Sequence, residues 1–566
     1  MMKIIRLKAM MAVLAMTFVF SGCVSLMSGI DLPGDVKLFD SQESHEEILL
    51  KDDTEEEKAA DYREMFSGSE VLAVDILADE GDWQRLLDNA TAKEWISADV
   101  VINGELFESV GIRTKGNSSL SGRGGRYSLQ FRMDKFIENQ SYFGLERFCV
   151  NNMMGDATYM KDYIAYDIMN FIGVDTPLTN YAEVKVNSEG YMFGVAIERY
   201  HKSFLERVYG NKKGHLYNVK IGMGSRSDFE GGFPGREQRG RFPDGRNGEI
   251  PDGFRGVGIG GMGDIGGGSL VYTNDEISSY NAIFKNNVFN KTDEEDNQRV
   301  ITALKNLNTG TDLEEYIDVD KTLRYFAAHT VVVNLDSYVS DMAQNYYIYE
   351  RKGKIAILPW DYNLAFGGFQ TGNASDFVNF PINTPVSGVK LEDRPLLNKL
   401  LEIPENLDLY HGYLNEIVER YFESRLFEKT VHELDAKIGD YVKNDTSPYF
   451  TYQQYQESLP VFIELCKLRA LSIRGQLDDT IPSTVSGQKA DSSALIDCAG
   501  IDISKLGTMT GGGGRGGIPD FSGGFPDEHS GFRSMPDWGG EFPDFGDFFP
   551  PDFWEVPGEV DSFMNI

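Results

Sequence analysis

Residues 334–363, with the sequence NLDSYVSDMAQNYYIYERKGKIAILPWDYN, decide how the fold of this chain is interpreted. Two short apolar runs between residues 346 and 359 are typical of the two strands of a β-hairpin. Asp336 precedes this hairpin, Asn345 stands at its entrance, and Asp361 follows its second strand. The pattern therefore predicts that carboxylate and amide groups meet where the hairpin begins and ends.

The composition of the whole chain excludes several classes of protein. Its 566 residues include 88 Asp and Glu against 54 Lys and Arg, which gives a formal net charge of −34. A field of this sign repels phosphate backbones, so we expect no nucleic-acid partner. Four cysteines in a chain of this length exclude a disulfide-framework protein. The hydrophobic content of 41% is sufficient for a large core.

The N-terminus has the pattern of an export signal. Three basic residues among the first eight are followed by an apolar run at 9–20 and by the sequence FSGC at 20–23. This order is typical of a signal peptide, and FSGC is similar to a bacterial lipobox, which would make Cys23 the lipidated first residue of the mature chain. We therefore expect an extracytoplasmic protein that is lipid-anchored to the bacterial cell membrane. An ordinary signal peptide with an incidental cysteine is the alternative.

Shifts in composition divide the chain into segments. Residues 41–64 carry ten acidic and three basic side chains, and residues 511–566 carry eleven acidic side chains and two Arg. Such runs cannot form a packed core. The predicted organisation is a signal peptide at 1–23, an acidic tether at 24–68, a β-rich N-lobe at 69–222, a Gly/Pro-rich flexible insert at 223–270, a mainly helical C-lobe with the metal and catalytic site at 271–482, and a linker with a disordered Gly/Pro/Phe/Asp-rich tail at 483–566. Export leaves open a disulfide between Cys466 and Cys498.

The stretch GIRTKGNSS at residues 111–119 follows a predicted strand and combines two cations, two hydroxyls and an amide. Arg113, Lys115, Asn117 and Ser118 could bind phosphate together with free backbone N–H groups of a turn. A polar hairpin turn without a ligand is the alternative. The Gly-x-x-x-x-Gly-Lys pattern of a Walker loop is missing.

The order of Asp336, Asn345 and Asp361 is also the order that phosphoryl transfer uses. One Asp would orient the acceptor hydroxyl, while the Asn and the second Asp would hold Mg²⁺ on nucleotide phosphates. An Asp/Asn pair that flanks a hairpin is also common in purely structural settings, so the residues alone leave both interpretations open.

Several blocks in chain order together resemble one family. They are GIRTKGNSS (111–119), RYS (126–128), Asn151-Asn152 with Asp156, residues 194–198, GHLY (214–217), NLD (334–336), NYYIY (345–349) and PWDYN (359–363). The chain resembles the CotH family, spore coat protein H and its bacterial relatives, over about residues 70 to 480. The resemblance implies an α+β, two-lobed atypical protein-kinase-like fold that uses ATP and a divalent metal, Mg²⁺ or Mn²⁺, to phosphorylate Ser/Thr of exported or coat proteins.

The resemblance also assigns roles to residues around the hairpin. Asp336 matches the catalytic-loop Asp of the family, Asp361 the metal-binding Asp and Asn345 the second metal ligand. The stretch between Asp336 and Asn345 is longer than in the spore coat protein, so Asp341 is the alternative acceptor-side base.

The resemblance does not identify a single cation that binds the nucleotide. Arg126 stands where many relatives have Lys, and a planar guanidinium cannot replace a compact ammonium. This difference puts weight on Lys115 or Lys220, with Arg113 as a further candidate. Glu198 could pair with such a Lys or could be a charge at a strand end.

Two functions are compatible with these observations. The first is a kinase that phosphorylates an exported or cell-envelope protein, or serines of its own insert and tail such as Ser530, which follows Asp527-Glu528-His529. The second is a non-catalytic envelope scaffold on the same fold, with a vestigial site and a tail that binds a partner.

Overall fold

The computed structural model describes residues 61–67, 70–116, 120, 125–220, 267–289 and 291–507. Cys23, Asn117, Ser118, most of the insert and the residues after Gly507 lie outside the described residues, so the predictions on them stay predictions. Within the described part, no helix is both long and apolar enough to cross a membrane. Cys149, Cys466 and Cys498 are free thiols there.

The N-terminal half of the described chain forms a closed barrel of seven strands in the order β1-β2-β3-β4-β5-β7-β6. The strands are β1 (Leu72–Leu77), β2 (Ile96–Ile102), β3 (Glu105–Lys115), β4 (Ser128–Arg132), β5 (Arg147–Asn151), β6 (Thr179–Val186) and β7 (Glu189–Glu198). Neighbouring strands are antiparallel except β1 and β6, which pair in parallel from Leu72 opposite Ala182 to Ile76 opposite Val186. This parallel pairing closes the barrel.

Alternation along each strand separates the interior of the barrel from its outer face. Ile112, Leu129 and Val150 belong to the buried barrel core, whereas Arg113, Gln130 and Cys149 alternate with them. The β2–β3 hairpin turns at Asn103-Gly104, where both residues have a positive φ, as this dipeptide predicts. The outer face of β3, β4 and β5 therefore presents polar side chains.

The rest of the described chain is helical around a small three-stranded sheet in the order β10-β9-β8. Its strands are β8 (His215–Val219), β9 (Tyr346–Arg351) and β10 (Lys354–Pro359), which confirms the predicted hairpin. The α-helices of the described residues are α1 (Glu80–Asp88), α2 (Lys161–Phe171), α3 (Lys202–Tyr209), α4 (Asn281–Phe284), α5 (Glu294–Thr309), α6 (Leu313–Tyr316), α7 (Val319–Val332), α8 (Ala374–Val378), α9 (Pro395–Leu401), α10 (Pro404–Ile417), α11 (Leu426–Asn444), α12 (Tyr452–Leu477) and α13 (Val485–Ala490). A π-helical turn at Val418–Glu423 follows α10 directly.

The expected α+β fold with two kinase-like lobes is wrong. Its β-rich half is a closed mixed barrel, and helices pack beside it. The pairing that closes the barrel joins β1 to β6, about a hundred residues later in the chain. Alternating hydrophobic residues reveal that a segment is a strand, but they do not reveal its long-range partner. The closure could therefore not be predicted from local pattern.

The packed chain continues beyond residue 482, where the sequence analysis places the start of a linker. Helix α13 and a 3₁₀ turn at Ile503–Leu506 follow, and Ile503 and Leu506 are buried in the main core. The carbonyl of Leu506 accepts a hydrogen bond from Ala157 N at 3.0 Å. The described chain therefore ends against the loop that precedes α2.

Candidate active site

Asn334 connects the predicted catalytic Asp336 with the predicted metal ligand Asp361. Helix α7 ends at Val332, and the φ of +46° at the next residue, Val333, turns the chain into the following loop. The Asn334 amide nitrogen donates to the backbone carbonyl of Asp361 at 3.0 Å, and its amide oxygen accepts from Asp336 N at 3.1 Å. Asn334 is fully buried. The side chain of Asn334 thus joins the backbone of Asp336 to the backbone of Asp361.

The buried His329 contacts Asn334 and the residues that follow Asp336 and Asp361 in the chain. The Nδ1 atom of His329 lies 2.8 Å from the hydroxyl of Tyr362, and its Nε2 lies 3.0 Å from Ser337 Oγ and 3.1 Å from the carbonyl of Asn334. Burial lowers the pKa of His329 to about 4, so the ring is neutral near pH 7. His329 therefore orients the residues next to both carboxylates and carries no charge.

Asp336 is held in a poorly hydrated position by two amides. Gln344 Nε2 donates to its Oδ1 at 2.7 Å, and Asn345 Nδ2 donates to its Oδ2 at 2.9 Å and to its backbone carbonyl at 2.7 Å. Burial, with the charge of Asp361 as a smaller cause, raises the pKa of Asp336 to about 6 despite these donors. A carboxylate with this pKa is mostly ionised at pH 7 and well suited to accept a proton.

Lys115 meets Asp361 from the barrel. Lys115 Nζ lies 3.3 Å from Asp361 Oδ1 and donates to Asn151 Oδ1 at 2.7 Å. Burial is the largest single influence and disfavours the charge of Lys115, but Asp361, Cys149 and Asp162 together outweigh it, and the pKa of Lys115 is raised. Only 14% of the Lys115 side chain is exposed, so this ion pair is much less screened than a surface pair.

Asp162 of α2 lies behind this pair. Its Oδ2 accepts from Asn151 Nδ2 at 2.8 Å, and its Oδ1 accepts from Tyr362 N at 2.8 Å. Burial and then the charge of Asp361 raise the pKa of Asp162 to about 7. Asp162 therefore orients Asn151, which in turn orients Lys115. Gly194 makes this geometry possible, because a Cβ there would lie 2.1 Å from the carbonyl oxygen of Asn151.

A group of cations extends from Lys115 along the outer face of the barrel and includes Lys220 after β8. Its members are Arg113, Lys115, Arg132, Arg147, Arg199 and Lys220, which we call the cationic face. Arg199 stacks on Trp360 with its guanidinium carbon 4.5 Å from the ring centroid, and Lys115 Nζ lies 5.3 Å from the same centroid. Burial, followed by repulsion from Arg199 and Arg132, lowers the pKa of Arg113.

Lys220 lies at the end of β8, on the same face. Lys220 is exposed as a residue, but the atoms packed around its ammonium group partly desolvate it. This desolvation, with repulsion from Arg199, Lys93 and Lys115, lowers the pKa of Lys220 to about 8.

Two of the predicted nucleotide-binding residues lie elsewhere. Arg126 is buried in an ion pair with Asp445 at 2.7 Å and also donates to the carbonyl of Phe193 at 2.6 Å. Glu198 is fully buried and accepts from Arg207 Nη2 at 2.6 Å and from the hydroxyl of Tyr62 at 2.9 Å. The partner of Glu198 is thus an arginine, and both residues connect structural elements away from Asp361.

Asp341 is also separate from the other predicted residues. It is exposed on the loop before β9, where its Oδ1 accepts from Gln370 Nε2 at 3.1 Å. The structure gives it no hydrogen bond to Asp336, Asn345 or Asp361. Of the two candidate bases, Asp336 is the one placed in the network of Lys115 and Asp361.

The oxygen atoms around the hairpin suit a hard divalent cation. Among the described residues, the second oxygen of Asp361 and the amide oxygen of Asn345 accept no hydrogen bond. The described part of the chain has no group of three or more His, Cys, Asp or Glu that could hold a metal. Mg²⁺ needs only one or two carboxylates when it binds with nucleotide phosphates. The donor set therefore fits such an ion together with a nucleotide.

Sequence reasoning did not assign roles to Asn151, Asp162, Arg199, His329 and Asn334. Asn151 and Asn334 lie within the blocks that carry the family resemblance, and Arg199 directly follows another such block. Asp162 and His329 lie inside helices, where their spacing matches no motif. Their contribution is visible only through contacts with residues far away in the chain.

Comparison with known proteins agrees with the arrangement of these residues in the chain. No curated protein sequence matches the chain. A family model described as CotH kinase protein matches residues 112–473, which include Lys115, Asp336, Asn345 and Asp361. Since this match covers more than half of the sequence, the chain belongs to the CotH kinase family.

Proposed function

We propose that this protein transfers the γ-phosphoryl group of ATP to a Ser or Thr hydroxyl of an exported or cell-envelope protein. Membership of the CotH kinase family supports a kinase-like function and the use of ATP. The observation that carries the proposal is that the buried Asn334 joins the backbones of Asp336 and Asp361. Two amides hold the Asp336 carboxylate, whereas Lys115 faces the Asp361 carboxylate. One carboxylate can then accept a proton while the other lies beside a cation that can bind phosphate.

In the proposed reaction, Asp336 accepts the proton of the acceptor hydroxyl as its oxygen attacks the γ-phosphorus. A bond forms between this oxygen and phosphorus, the bond from phosphorus to the bridging oxygen breaks, and ADP leaves with the electron pair. Gln344 and Asn345 keep the Asp336 carboxylate in one orientation. The raised pKa strengthens Asp336 as a base without protonating most of it at pH 7.

The cations near Asp361 would bind the phosphates of ATP. Lys115, Arg199 and Lys220 supply positive charge in a position that is partly shielded from water, where its interaction with phosphate is strong. A bound polyphosphate would favour the charged form of Lys220 and raise its pKa again. The charge that develops on the leaving ADP would be stabilised by the same groups.

A divalent cation, Mg²⁺ or Mn²⁺, would be held by Asp361 and Asn345 with the phosphates of ATP, and would neutralise phosphate charge when bound. Asn345 can present its amide oxygen while its amide nitrogen stays on Asp336. Asp361 can use the oxygen that does not face Lys115.

The proposed location and partner are supported by the sequence. The basic, apolar and small-residue order of residues 1–23 and the cysteine at its end favour export and a lipid anchor on the cell membrane. The acceptor would then be a Ser- or Thr-containing protein on the outer side of that membrane, or the protein itself.

The test is incorporation of label from γ-labelled ATP by the full chain, with Mg²⁺ or Mn²⁺, into itself and into a Ser-rich acidic acceptor protein. We expect Asp336→Asn and Asp361→Asn to reduce the rate by about a hundredfold or more. The matched control Asp341→Asn should keep the wild-type rate, because Asp341 is exposed and outside the network.

Two results would contradict the proposal. One is no incorporation of label together with no stabilisation of the chain by nucleotide in a thermal shift, which would favour the non-catalytic scaffold. The other is activity that survives Asp336→Asn but is lost in Asp341→Asn, which would reassign the base.

A further inference from the structure

One end of the cationic face lies away from the carboxylates of the active site. Lys115 is opposite Ser128, whereas Arg132 is opposite Gly111 on β3 and Arg147 on β5. Lys115 and Gly111 are four residues apart on one strand, which corresponds to about 13 Å. Arg132 and Arg147 are therefore too far from Lys115 to bind the same phosphate group.

At this remote end, Arg132 and Arg147 lie near the carboxylates of Asp134 and Glu146. Arg132 pairs with Asp134 at 2.7 Å, and Glu146 is engaged by Ser203 N and lies 3.5 Å from His201. Arg147 forms no salt bridge within the described residues, and its buried Nε has no hydrogen-bond partner there. Burial, with Arg132 as the next cause, lowers the pKa of Arg147 to about 10. No described residue accepts a hydrogen bond from the Arg147 side chain, and this half-buried residue therefore keeps hydrogen-bonding capacity for a carboxylate from outside the described residues.

Apolar and aromatic side chains lie beside these arginines. Lys135 covers Gly111, where a Cβ would lie 2.5 Å from the Lys135 Cβ, and its ammonium group lies over the rings of Trp95 and Phe136. Phe136 is 48% exposed and Ile137 is 37% exposed. The surface thus combines cations with exposed apolar area, which suits a segment rich in both acidic and aromatic residues.

The C-terminal segment of this chain has that chemistry. Residues 511–566 contain eleven Asp and Glu, two Arg, nine Phe and two Trp. The described chain ends at Gly507, whose carbonyl accepts from Lys161 Nζ at 2.7 Å, next to Asp162 in the chain. The thirteen residues from Gly507 to Asp520 can span up to about 45 Å. The segment therefore begins close to the active site and is long enough to reach Arg132 and Arg147.

We propose that residues 511–566 dock on the cationic face of their own chain, with carboxylates at Arg132 and Arg147 and aromatic rings at the patch of Trp95, Lys135 and Phe136. The docking needs no phosphoryl transfer and can be tested without ATP. That it brings serines of the segment toward Asp336 rests on the proposed function, and it makes acidic Ser-containing sequences the acceptor class.

Carbodiimide cross-linking of the full chain, which joins lysines to carboxylates, tests the docking in the absence of nucleotide and metal. At about 20 mM salt we expect links between Lys135 or Lys220 and acidic residues of 520–561, identified by mass spectrometry. At about 0.5 M salt these links should decrease about tenfold, because exposed ion pairs are screened. Arg132→Glu combined with Arg147→Glu should cause a similar loss at low salt.

Two further variants keep the test independent of misfolding. Arg420→Glu with Lys429→Glu changes charge by the same amount at two exposed cations outside the cationic face and should keep the links. Changing all eleven acidic residues of 511–566 to amides leaves the described residues unaltered. In that variant, labelling of Arg132 and Arg147 by phenylglyoxal should be several times faster than in the wild type.

The proposal is overturned if links to 520–561 are absent at low salt, or if they persist in the Arg132→Glu, Arg147→Glu variant while its melting curve matches the wild type. Links from the same lysines to the acidic residues of 43–57 would identify a different occupant and also overturn it. Mixing isotope-labelled and unlabelled chains separates docking in cis from docking between copies, and mixed links at the statistical level would refute the cis arrangement. A difference between the wild type and these variants in the rate of phosphoryl transfer from ATP would test only the proposed function and not the docking.

Discussion

Asp336→Asn should make the protein more stable at neutral pH while it removes the proposed base. The pKa of Asp336 rises from its ordinary value of 3.8 to about 6 in the folded protein. A shift of this size means that the ionised carboxylate costs the fold about 3 kcal/mol when it is fully charged. An amide removes this cost but loses one hydrogen bond with Gln344 or Asn345, which is worth about 1 kcal/mol. The net gain should be about 2 kcal/mol at pH 8.

The pH dependence isolates the charge of Asp336 from other effects of the substitution. Because its folded pKa is raised, the wild type is stabilised by Asp336 protonation at low pH and loses that contribution as the pH rises through about 6. The advantage of Asp336→Asn over the wild type should therefore grow by about 1.5 kcal/mol between pH 5 and pH 8.

Urea unfolding at several pH values measures this difference, and Asp341→Asn is the matched control. Since Asp341 is exposed, the control should stay within about 0.5 kcal/mol of the wild type at every pH. A constant or decreasing advantage of Asp336→Asn with pH would refute the argument that a buried charge destabilises the fold. In the kinase assay, the wild-type rate should rise with pH through about 6, because only ionised Asp336 can accept a proton.

Three further substitutions separate functional from structural roles. Lys115→Met should weaken ATP binding at least tenfold in a titration while the protein stays folded, because Asp361 remains partly exposed to water. Arg126→Met should instead destabilise the protein by about 3 to 5 kcal/mol in urea unfolding, because the buried Asp445 would lose the cation that balances its charge; a change confined to the KM for ATP would contradict this assignment. Gly194→Ala should cost about 1 to 3 kcal/mol, since its Cβ would clash with the carbonyl of Asn151, and an unchanged unfolding midpoint would count against it.

Much of the secondary structure could be predicted from local signals. The hairpin of β9 and β10 follows from two apolar runs around a turn, and the β2–β3 hairpin from Asn103-Gly104. The closure of the barrel could not be predicted, because it depends on β1 and β6 pairing across most of the barrel sequence. Alternation predicts strands and their two faces, but any strand with the same alternation could have been the partner.

In the candidate site, too, local sequence identifies the candidate residues, whereas long-range contacts decide their partners. Lys115, Arg113 and Arg126 all lie near the same predicted turn, and the sequence favours Lys115 over Arg126 without identifying the partner of either. The structure separates them by their partners: Lys115 meets Asp361, Arg113 stacks on Trp95, and Arg126 is buried against Asp445. Each of these contacts except that of Arg113 joins residues more than two hundred positions apart.

The sequence by itself determined the family, the order of Asp336, Asn345 and Asp361 in the chain, and the location of the acidic segments, because these properties are local and need no folding. Only the tertiary structure decided which cation faces Asp361, that Asp336 has a raised pKa, and that Arg126 and Glu198 are buried in ion pairs with Asp445 and Arg207. Each of these depends on burial and on a partner brought from a distant part of the chain. The physical reason is that a charged side chain acquires its energy from its solvent and its neighbours, and both are properties of the folded protein.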